Sequence, residues 1–302
     1  MKFQKSSIET SKTFCLNFLG IGFARSGTTW LNESLKAHPQ IGMPKERELN
    51  YFCTDPLWST VSNQEKDLNW LKKRFDHCKH MDIKGEFNTI YIMDPSAPIL
   101  IKEAYPDIKL IISYREPADR LLSMYYMLKR LYSIPDSFEK FLEKEPKYIE
   151  TGYYYTLTKR FLKHFDRQKF HYIIFDDIID NPAKVLSDLY KFLGVTSDFV
   201  PSFLNERVNS GKVPASKFLR DTMGNSSEYL KSRSWGRKLH SLLASFGIHE
   251  IARKISDLNV ASISLPPMRE ETRHFLKEIY TDEVSNLQGL IKRDLIGWGY
   301  EI

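Results

Sequence analysis

Gly20-Ile21-Gly22-Phe23-Ala24-Arg25-Ser26-Gly27-Thr28-Thr29-Trp30 follows an apolar run, Phe14 to Leu19, and precedes Leu31-Asn32-Glu33-Ser34-Leu35-Lys36-Ala37. The apolar run reads as a short buried strand, and the leucines at i and i+4 mark one face of a helix. Strand, glycine-punctuated turn and helix, in that order, aim backbone N–H groups and the positive end of a helix dipole at an anion. Two common phosphate loops fail here on one residue each. A dinucleotide fingerprint needs a third glycine where Arg25 stands. A Walker loop needs lysine where Thr28 stands, although Gly22, Gly27 and Thr29 fit its spacing. The cation is instead Arg25, inside the turn, where a guanidinium can grip an oxyanion by paired hydrogen bonds. With no strand ending in a Walker-B aspartate, the pattern argues against a magnesium-dependent kinase.

A second strand–turn–helix unit lies further along. Lys109-Leu110-Ile111-Ile112-Ser113-Tyr114 is a buried strand leading straight into Arg115-Glu116-Pro117-Ala118-Asp119-Arg120-Leu121-Leu122-Ser123. Pro117 suits a first helical turn, with acids nearby to match the dipole. Arg115 falls at the strand's carboxyl end with Ser123 eight residues on, and Arg120 and Ser123 share a helix face at i, i+3. Ligands of open α/β sheets sit outside the carboxyl ends of strands, so Arg115 and the Gly22–Thr29 loop are expected to face one crevice. One loop for a 5′ anion and one Arg/Ser pair for another phosphate is the minimum for a nucleotide phosphorylated at both ends. Taken alone, Arg-Glu-Pro-x-x-Arg is equally a salt-bridged helix start.

Between these units, His38 to Pro44 is a turn region, and Lys45-Glu46-Arg47-Glu48-Leu49-Asn50-Tyr51-Phe52 is a charged run ending in apolar residues. Its default role is a solvated cluster; its alternative is to supply a carboxylate that takes a proton from an acceptor hydroxyl. Residues 55 to 80 read as one amphipathic helix with irregular connections. His77 and His80 flank Cys78 without further ligands at zinc spacing, so no metal site is expected. Met81 to Glu86 reads as a strand ending in a glycine, and Asp94-Pro95 as the start of a helix reaching Tyr105. Residues 136–145, 153–165 and 182–193 are expected as helices, with Phe170 to Phe175 a buried strand. Asn181-Pro182 reads as a cap and first turn, and Gly194 as a stop. From 206 to 265, glycine, serine and cations (Arg207, Lys212, Lys217, Arg220, Lys231, Arg233, Arg237, Lys238) read as a solvated segment or as a flap closing over the site. The final helix is expected from about Glu270, with a break near Thr281.

The chain of 302 residues, 42% hydrophobic and 27% charged, is long enough for one large α/β domain with a sizeable core. A net charge of +6 favours anionic ligands, but the cations are dispersed, and nucleic acid is not expected as a partner. Cys15, Cys53 and Cys78 form no CxxC pair and read as reduced core thiols. No signal peptide or membrane anchor is apparent, so the expected place of work is the cytoplasm.

Arg25-Ser26-Gly27-Thr28-Thr29-Trp30 resembles the 5′-phosphosulfate loop of the sulfotransferases that use PAPS (3′-phosphoadenosine 5′-phosphosulfate), and Arg115 with Ser123 resembles their 3′-phosphate motif. The likeness runs from Phe18 to Trp298 and is nearest to the carbohydrate-type and bacterial branches. Supporting similarities are Gly152-Tyr153-Tyr154-Tyr155, Phe175-Asp176-Asp177, Phe192-Leu193-Gly194-Val195 and Pro267-x-x-x-Glu271-Thr272-Arg273. The resemblance implies a single α/β domain over 1–302, P-loop-like, with a mostly parallel sheet flanked by helices and 206–265 as an acceptor-side insertion. It implies transfer of a sulfonyl group to a hydroxyl or amine of a carbohydrate or small molecule, releasing adenosine 3′,5′-bisphosphate without a metal. Trp30 matches a position that stacks on adenine in the cytosolic branch. Glu48-Leu49-Asn50-Tyr51-Phe52 is similar to the Glu-x-His-Phe-Phe segment that carries the glycan branch's base, which points to Glu48, with Glu46 as competitor. Two departures stand out. Gly85-Glu86-Phe87-Asn88-Thr89 lacks the cytosolic branch's histidine, and Phe87 stands near the place of the glycan branch's lysine. Neutralising the leaving phosphate therefore falls more heavily on Arg25, and Glu86 is a second acid–base candidate. The acceptor's identity and the oligomeric state are not written in these motifs.

Overall fold

The computed structural model describes residues 14–55, 66–132, 134–204 and 266–301, with two short strands at 213–214 and 260–261. The chain divides into two compact units, Met1–Glu206 with Met268–Ile302, and Arg207–Pro267. In the second unit the described residues are Pro266, Pro267 and the strands β6 (Val213–Pro214) and β7 (Val260–Ala261), an antiparallel pair. The flap cations expected between 206 and 238 lie outside the described residues.

The first unit is built on a parallel sheet. Its strands are β1 (Phe18–Gly22), β2 (Ile41–Gly42), β3 (Ile83–Phe87), β4 (Lys109–Tyr114) and β5 (Phe170–Ile174), in the order β2-β3-β1-β4-β5. Every pairing is parallel. All five residues of β1 are buried, as the centre of a sheet covered on both faces demands. Gly20 is required there, because a Cβ would stand 2.2 Å from the Phe87 ring on the neighbouring strand.

The helices are α1 (Thr28–Ala37), α2 (Leu68–Lys73), α3 (Ala97–Ala104), α4 (Pro117–Tyr132), α5 (Phe138–Lys144), α6 (Lys147–Glu150), α7 (Tyr154–Leu162), α8 (Phe175–Asp180), α9 (Pro182–Leu193) and α10 (Glu270–Ile291). Local chemistry explains several boundaries. Asn181 Oδ1 accepts from Lys184 N at the start of α9, and Gly194 closes it in the left-handed region at φ 84°. Ser137 caps α5 in the same way. Glu116 accepts from the Ala118 and Asp119 amides and so caps α4.

Some sequence expectations need correction. β3 does not end in a glycine; Gly85 lies at its centre, where a Cβ would meet the Phe18 carbonyl oxygen at 2.5 Å. Within 66–80 the helical residues are the short α2 and a 3-10 turn at Asp76–Cys78, not one long helix. α3 begins at Ala97, because Asp94 Oδ1 accepts from the Ser96 amide and holds a turn before it. α10 runs unbroken through Thr281, whose hydroxyl donates to the Lys277 carbonyl one turn back and needs no break. Its buried stripe of Leu276, Tyr280, Val284, Leu287 and Leu290 packs against α7. Cys53 and Cys78 are buried and joined in no disulfide, whereas Cys15 is exposed rather than in the core.

The supporting motifs prove architectural. Gly152 lets its backbone approach Tyr280, since a Cβ would lie 2.6 Å from that ring. Asp176 accepts from the Trp298 indole N–H at 2.8 Å, Asp177 pairs with Arg293, and Arg273 with Asp119. These contacts fasten the C-terminal segment across the sheet's end.

Candidate active site

The β1 tip turns through Phe23 to Gly27 before α1. Arg25 stands at φ 71° and Gly27 at φ 83°, both in the left-handed region. A side chain at Gly27 would also stand 2.7 Å from Ile178 and 3.2 Å from the Phe175 ring, so this position excludes anything larger. α1 has no side-chain cap and no acid in its first turn. Its leading amides are therefore left for an outside anion, the arrangement that makes a helix start an anion site. The Ser26 amide is already used, donating to Phe23 O at 3.3 Å, which leaves the amides of Gly27, Thr28 and Thr29 at the helix start. Ser26 Oγ, by contrast, is fully buried and has no hydrogen-bond partner among the described residues. A bound anion would supply the acceptor this hydroxyl lacks.

The two motifs meet directly. Arg25 Nε donates to Ser123 Oγ at 3.0 Å. The Arg115 guanidinium lies 4.8 Å from the centroid of Phe175, the ring that also abuts Gly27. Burial, followed by the charges of Arg130 and Arg115, pulls the Arg25 guanidinium below its usual value. Three arginines thus lie close enough to the loop to act on one another, and their field favours an anion there. Arg130 was not singled out by the sequence, although it follows Ser123 by seven residues and so returns to the same side of α4.

Arg120, one turn before Ser123, is 1% exposed, donates to Thr151 Oγ1 at 2.6 Å and reaches the Ala24 carbonyl at 3.5 Å. It braces the loop from beneath. Trp30 lies in α1 and is 7% exposed, so most of its ring is occupied by the protein's own packing. Thr28 is buried, and Thr29 Oγ1 accepts from Arg47 at 2.9 Å.

That last bond brings the carboxylate segment to the loop. Glu48, next to Arg47, has φ 54° and Oε1 accepting from Thr89 Oγ1 at 2.9 Å. Glu46 is exposed and turns to Arg74 at 3.6 Å. Glu86 is on β3, 1% exposed, with Oε2 accepting from the Leu49 amide at 3.1 Å and Oε1 from the Tyr91 hydroxyl at 2.6 Å. Burial pushes its carboxyl up to about 7; the Tyr91 and Leu49 hydrogen bonds and Lys66 oppose the shift, and Glu48 adds to it. Thr89 and Tyr91, just after β3, and Lys66, just before α2, escaped the sequence reading, because polar residues in connections carry no pattern that marks them.

A cleft of about 700 Å3 between α7 and α10 contains none of these residues. Among the described residues no three His, Cys, Asp or Glu side chains cluster as a metal site would require, and no helix is long and apolar enough to cross a membrane.

A parallel sheet flanked by helices, with an uncapped helix start and two arginines at neighbouring strand tips, is an α/β fold of P-loop-like design. The family model described as "Sulfotransferase domain" matches residues 17–212, and the chain belongs to that transferase family. It is 33% identical over 150 residues to the membrane-associated sulfotransferase kil1 of Dictyostelium discoideum, covering 46% of this chain and 30% of that protein. It is 27% identical over 189 residues to heparan sulfate glucosamine 3-O-sulfotransferase 5 of Mus musculus, covering 58% of this chain and 52% of the relative. The matched regions thus span about half or less of these curated relatives. A crystal structure of a sulfotransferase from Alicyclobacillus acidocaldarius shares the fold, with a TM-score of 0.69 at 24% identity over 95% of this chain and 100% of that one.

Proposed function

We propose that the protein transfers the sulfonyl group of PAPS to a hydroxyl or amine of a carbohydrate or small-molecule acceptor, releasing adenosine 3′,5′-bisphosphate. The observation that carries this reading is the Arg25–Ser123 contact with Arg115 beside the same loop. It supports one pocket for both charged ends of a doubly phosphorylated nucleotide. The residues fit such a donor: an uncapped helix start, a Ser26 hydroxyl with no partner among the described residues and converging guanidiniums all suit an anion.

PAPS supplies a sulfonyl group already joined to a phosphate leaving group. The Gly27–Thr29 amides and Arg25 hold the 5′ end and stabilise charge developing on the bridging oxygen. Arg115 and Ser123 hold the 3′-phosphate and set the donor's register. Glu48, with Oε1 anchored by Thr89, takes the acceptor's proton as the acceptor atom bonds to sulfur and the sulfur–oxygen bridge breaks. Glu86 has both oxygens engaged and is enclosed, so it serves this reading as a support rather than as a base facing the acceptor. A carbohydrate acceptor is favoured by the resemblance of Glu48–Phe52 to the glycan branch and by the heparan sulfate relatives.

The test is calorimetric titration with adenosine 3′,5′-bisphosphate against ATP and magnesium, followed by transfer from labelled PAPS into a panel of acceptors. Binding of the bisphosphate with label transfer supports the reading. Preference for magnesium ATP would favour a nucleotide or small-molecule kinase, and bisphosphate binding without transfer would favour a non-catalytic nucleotide-binding protein.

A further inference from the structure

The segment from Glu48 to Phe52 contains two non-glycine residues in the left-handed region, Glu48 at φ 54° and Asn50 at φ 52°. Such residues persist only where their surroundings hold them. β2 ends at Gly42, so no sheet ladder holds this segment; side chains hold it instead. The Leu49 amide donates to Glu86 Oε2. The amides of Tyr51 and Phe52 donate to the Tyr91 hydroxyl oxygen at 2.9 and 3.4 Å. That hydroxyl in turn donates its proton to Glu86 Oε1 at 2.6 Å. From the other side, Lys66 Nζ donates to the carbonyls of Leu49 and Asn50 at 2.9 and 3.5 Å.

We propose that Glu86 and Tyr91 are a positioning pair that fixes the Glu48–Phe52 segment in its left-handed turn and so aims the Glu48 carboxylate. The inference rests on the sulfotransferase reading only for what Glu48 does; the holding of the segment stands apart from it. Both members of the pair are buried, Glu86 at 1% and Tyr91 at 0% exposure, so their bonds to the segment are shielded from water. The polarity is complete in one direction only. A carboxylate accepts from both Leu49 N and Tyr91 O–H, and the phenol oxygen is then free to accept two amides. A glutamine at 86 must set its NH2 against one of those donors. Phenylalanine at 91 strips two amides and one carboxylate oxygen of their partner at once.

The experiment is hydrogen exchange resolved to the Leu49, Tyr51 and Phe52 amides, in the wild-type chain and in Tyr91→Phe and Glu86→Gln. Titration with adenosine 3′,5′-bisphosphate and PAPS turnover are measured alongside. Both variants should lose at least tenfold protection at those amides, bind the bisphosphate within about twofold of wild type, and lose about tenfold or more in kcat. That split, with kcat falling while donor affinity holds, is one that general destabilisation would not produce. Unchanged protection in either folded variant overturns the proposal. So does lost protection with unchanged kcat in a chain that turns over PAPS. Should both variants fail to fold, the wild-type chain decides: the three amides must open together, and exchange at unprotected rates would overturn the pair. A wild-type chain that binds no bisphosphate overturns the donor assignment instead and leaves the exchange result readable.

Discussion

Arg25 Nε–H donates to Ser123 Oγ at 3.0 Å, joining two residues 98 positions apart in sequence. One belongs to the turn after β1 and the other to the helix after β4, and the two strands are neighbours in the sheet. In the proposed donor site, the contact makes Arg25 common to both halves. Its removal therefore costs more than a single phosphate contact.

Arg25→Ala is expected to lower turnover about a hundredfold, as removal of a well-placed charged donor worth ~3 kcal/mol does. Ser123→Ala, which leaves the guanidinium in place, should cost tenfold or less. Release of adenosine 3′,5′-bisphosphate from saturating PAPS in the presence of mixed metabolite acceptors measures both. Equal rates for Arg25→Ala and wild type would remove Arg25 from the chemistry.

Glu48→Gln should abolish most turnover, with a loss of a hundredfold or more, and leave bisphosphate affinity near wild type, because a general base acts on the acceptor and not on the donor. Glu46→Gln should be close to silent, since Glu46 is exposed and turned to Arg74. The pair of variants separates two carboxylates that the sequence alone left in competition. Full activity in Glu48→Gln would move the base elsewhere.

Arg115→Ala should weaken bisphosphate binding by about 10- to 100-fold, the worth of one hydrogen bond to a charged group. The charges of Arg130 and Arg115 act on Arg25, so a bound anion should also raise the melting temperature of wild type more than that of Arg115→Ala. Differential scanning fluorimetry with and without bisphosphate reads this. An equal rise in the two proteins would place Arg115 outside the pocket.

The strand–loop–helix units were legible because their signals are local: a buried run, a glycine that must take positive φ, and a cation at a fixed offset. Arg25, Gly27, Arg115 and Ser123 all fall in such units, and the structure brings them together. What escaped was long-range. Arg120 lies one turn from Ser123 on the same helix, yet it is buried and bonded to Thr151, a partner 31 positions away. The Ser26 amide closes a turn onto Phe23, a bond no sequence pattern announces. Tyr91 and Thr89 gain their meaning only once β3 sets them against the Glu48 segment, 39 to 41 positions away. The unbroken course of α10 through Thr281 likewise depends on a hydroxyl turning back to its own helix.

Glu86 gives the fold a pH dependence whose sign can be stated. Its folded value of about 7 lies above the ordinary 4.5, chiefly because burial penalises the carboxylate. The folded chain therefore holds this proton more tightly than the unfolded chain does. The stability the group contributes is fully present below pH 4.5, falls as both values are crossed, and is gone above pH 7. The separation corresponds to a loss of ~3 kcal/mol between those limits. Glu86→Gln carries no titrating proton. Its NH2 faces one of the two donors at every pH, as the O–H of protonated Glu86 does at low pH, so the fall with rising pH should flatten. Urea unfolding of both proteins from pH 5 to 8 tests this by difference, since groups such as His171, held down at about 4 by burial, titrate alike in both and cancel. A stability difference that stays constant across that range would mean Glu86 is already ionised at pH 5, and that Tyr91 and the Leu49 amide outweigh burial.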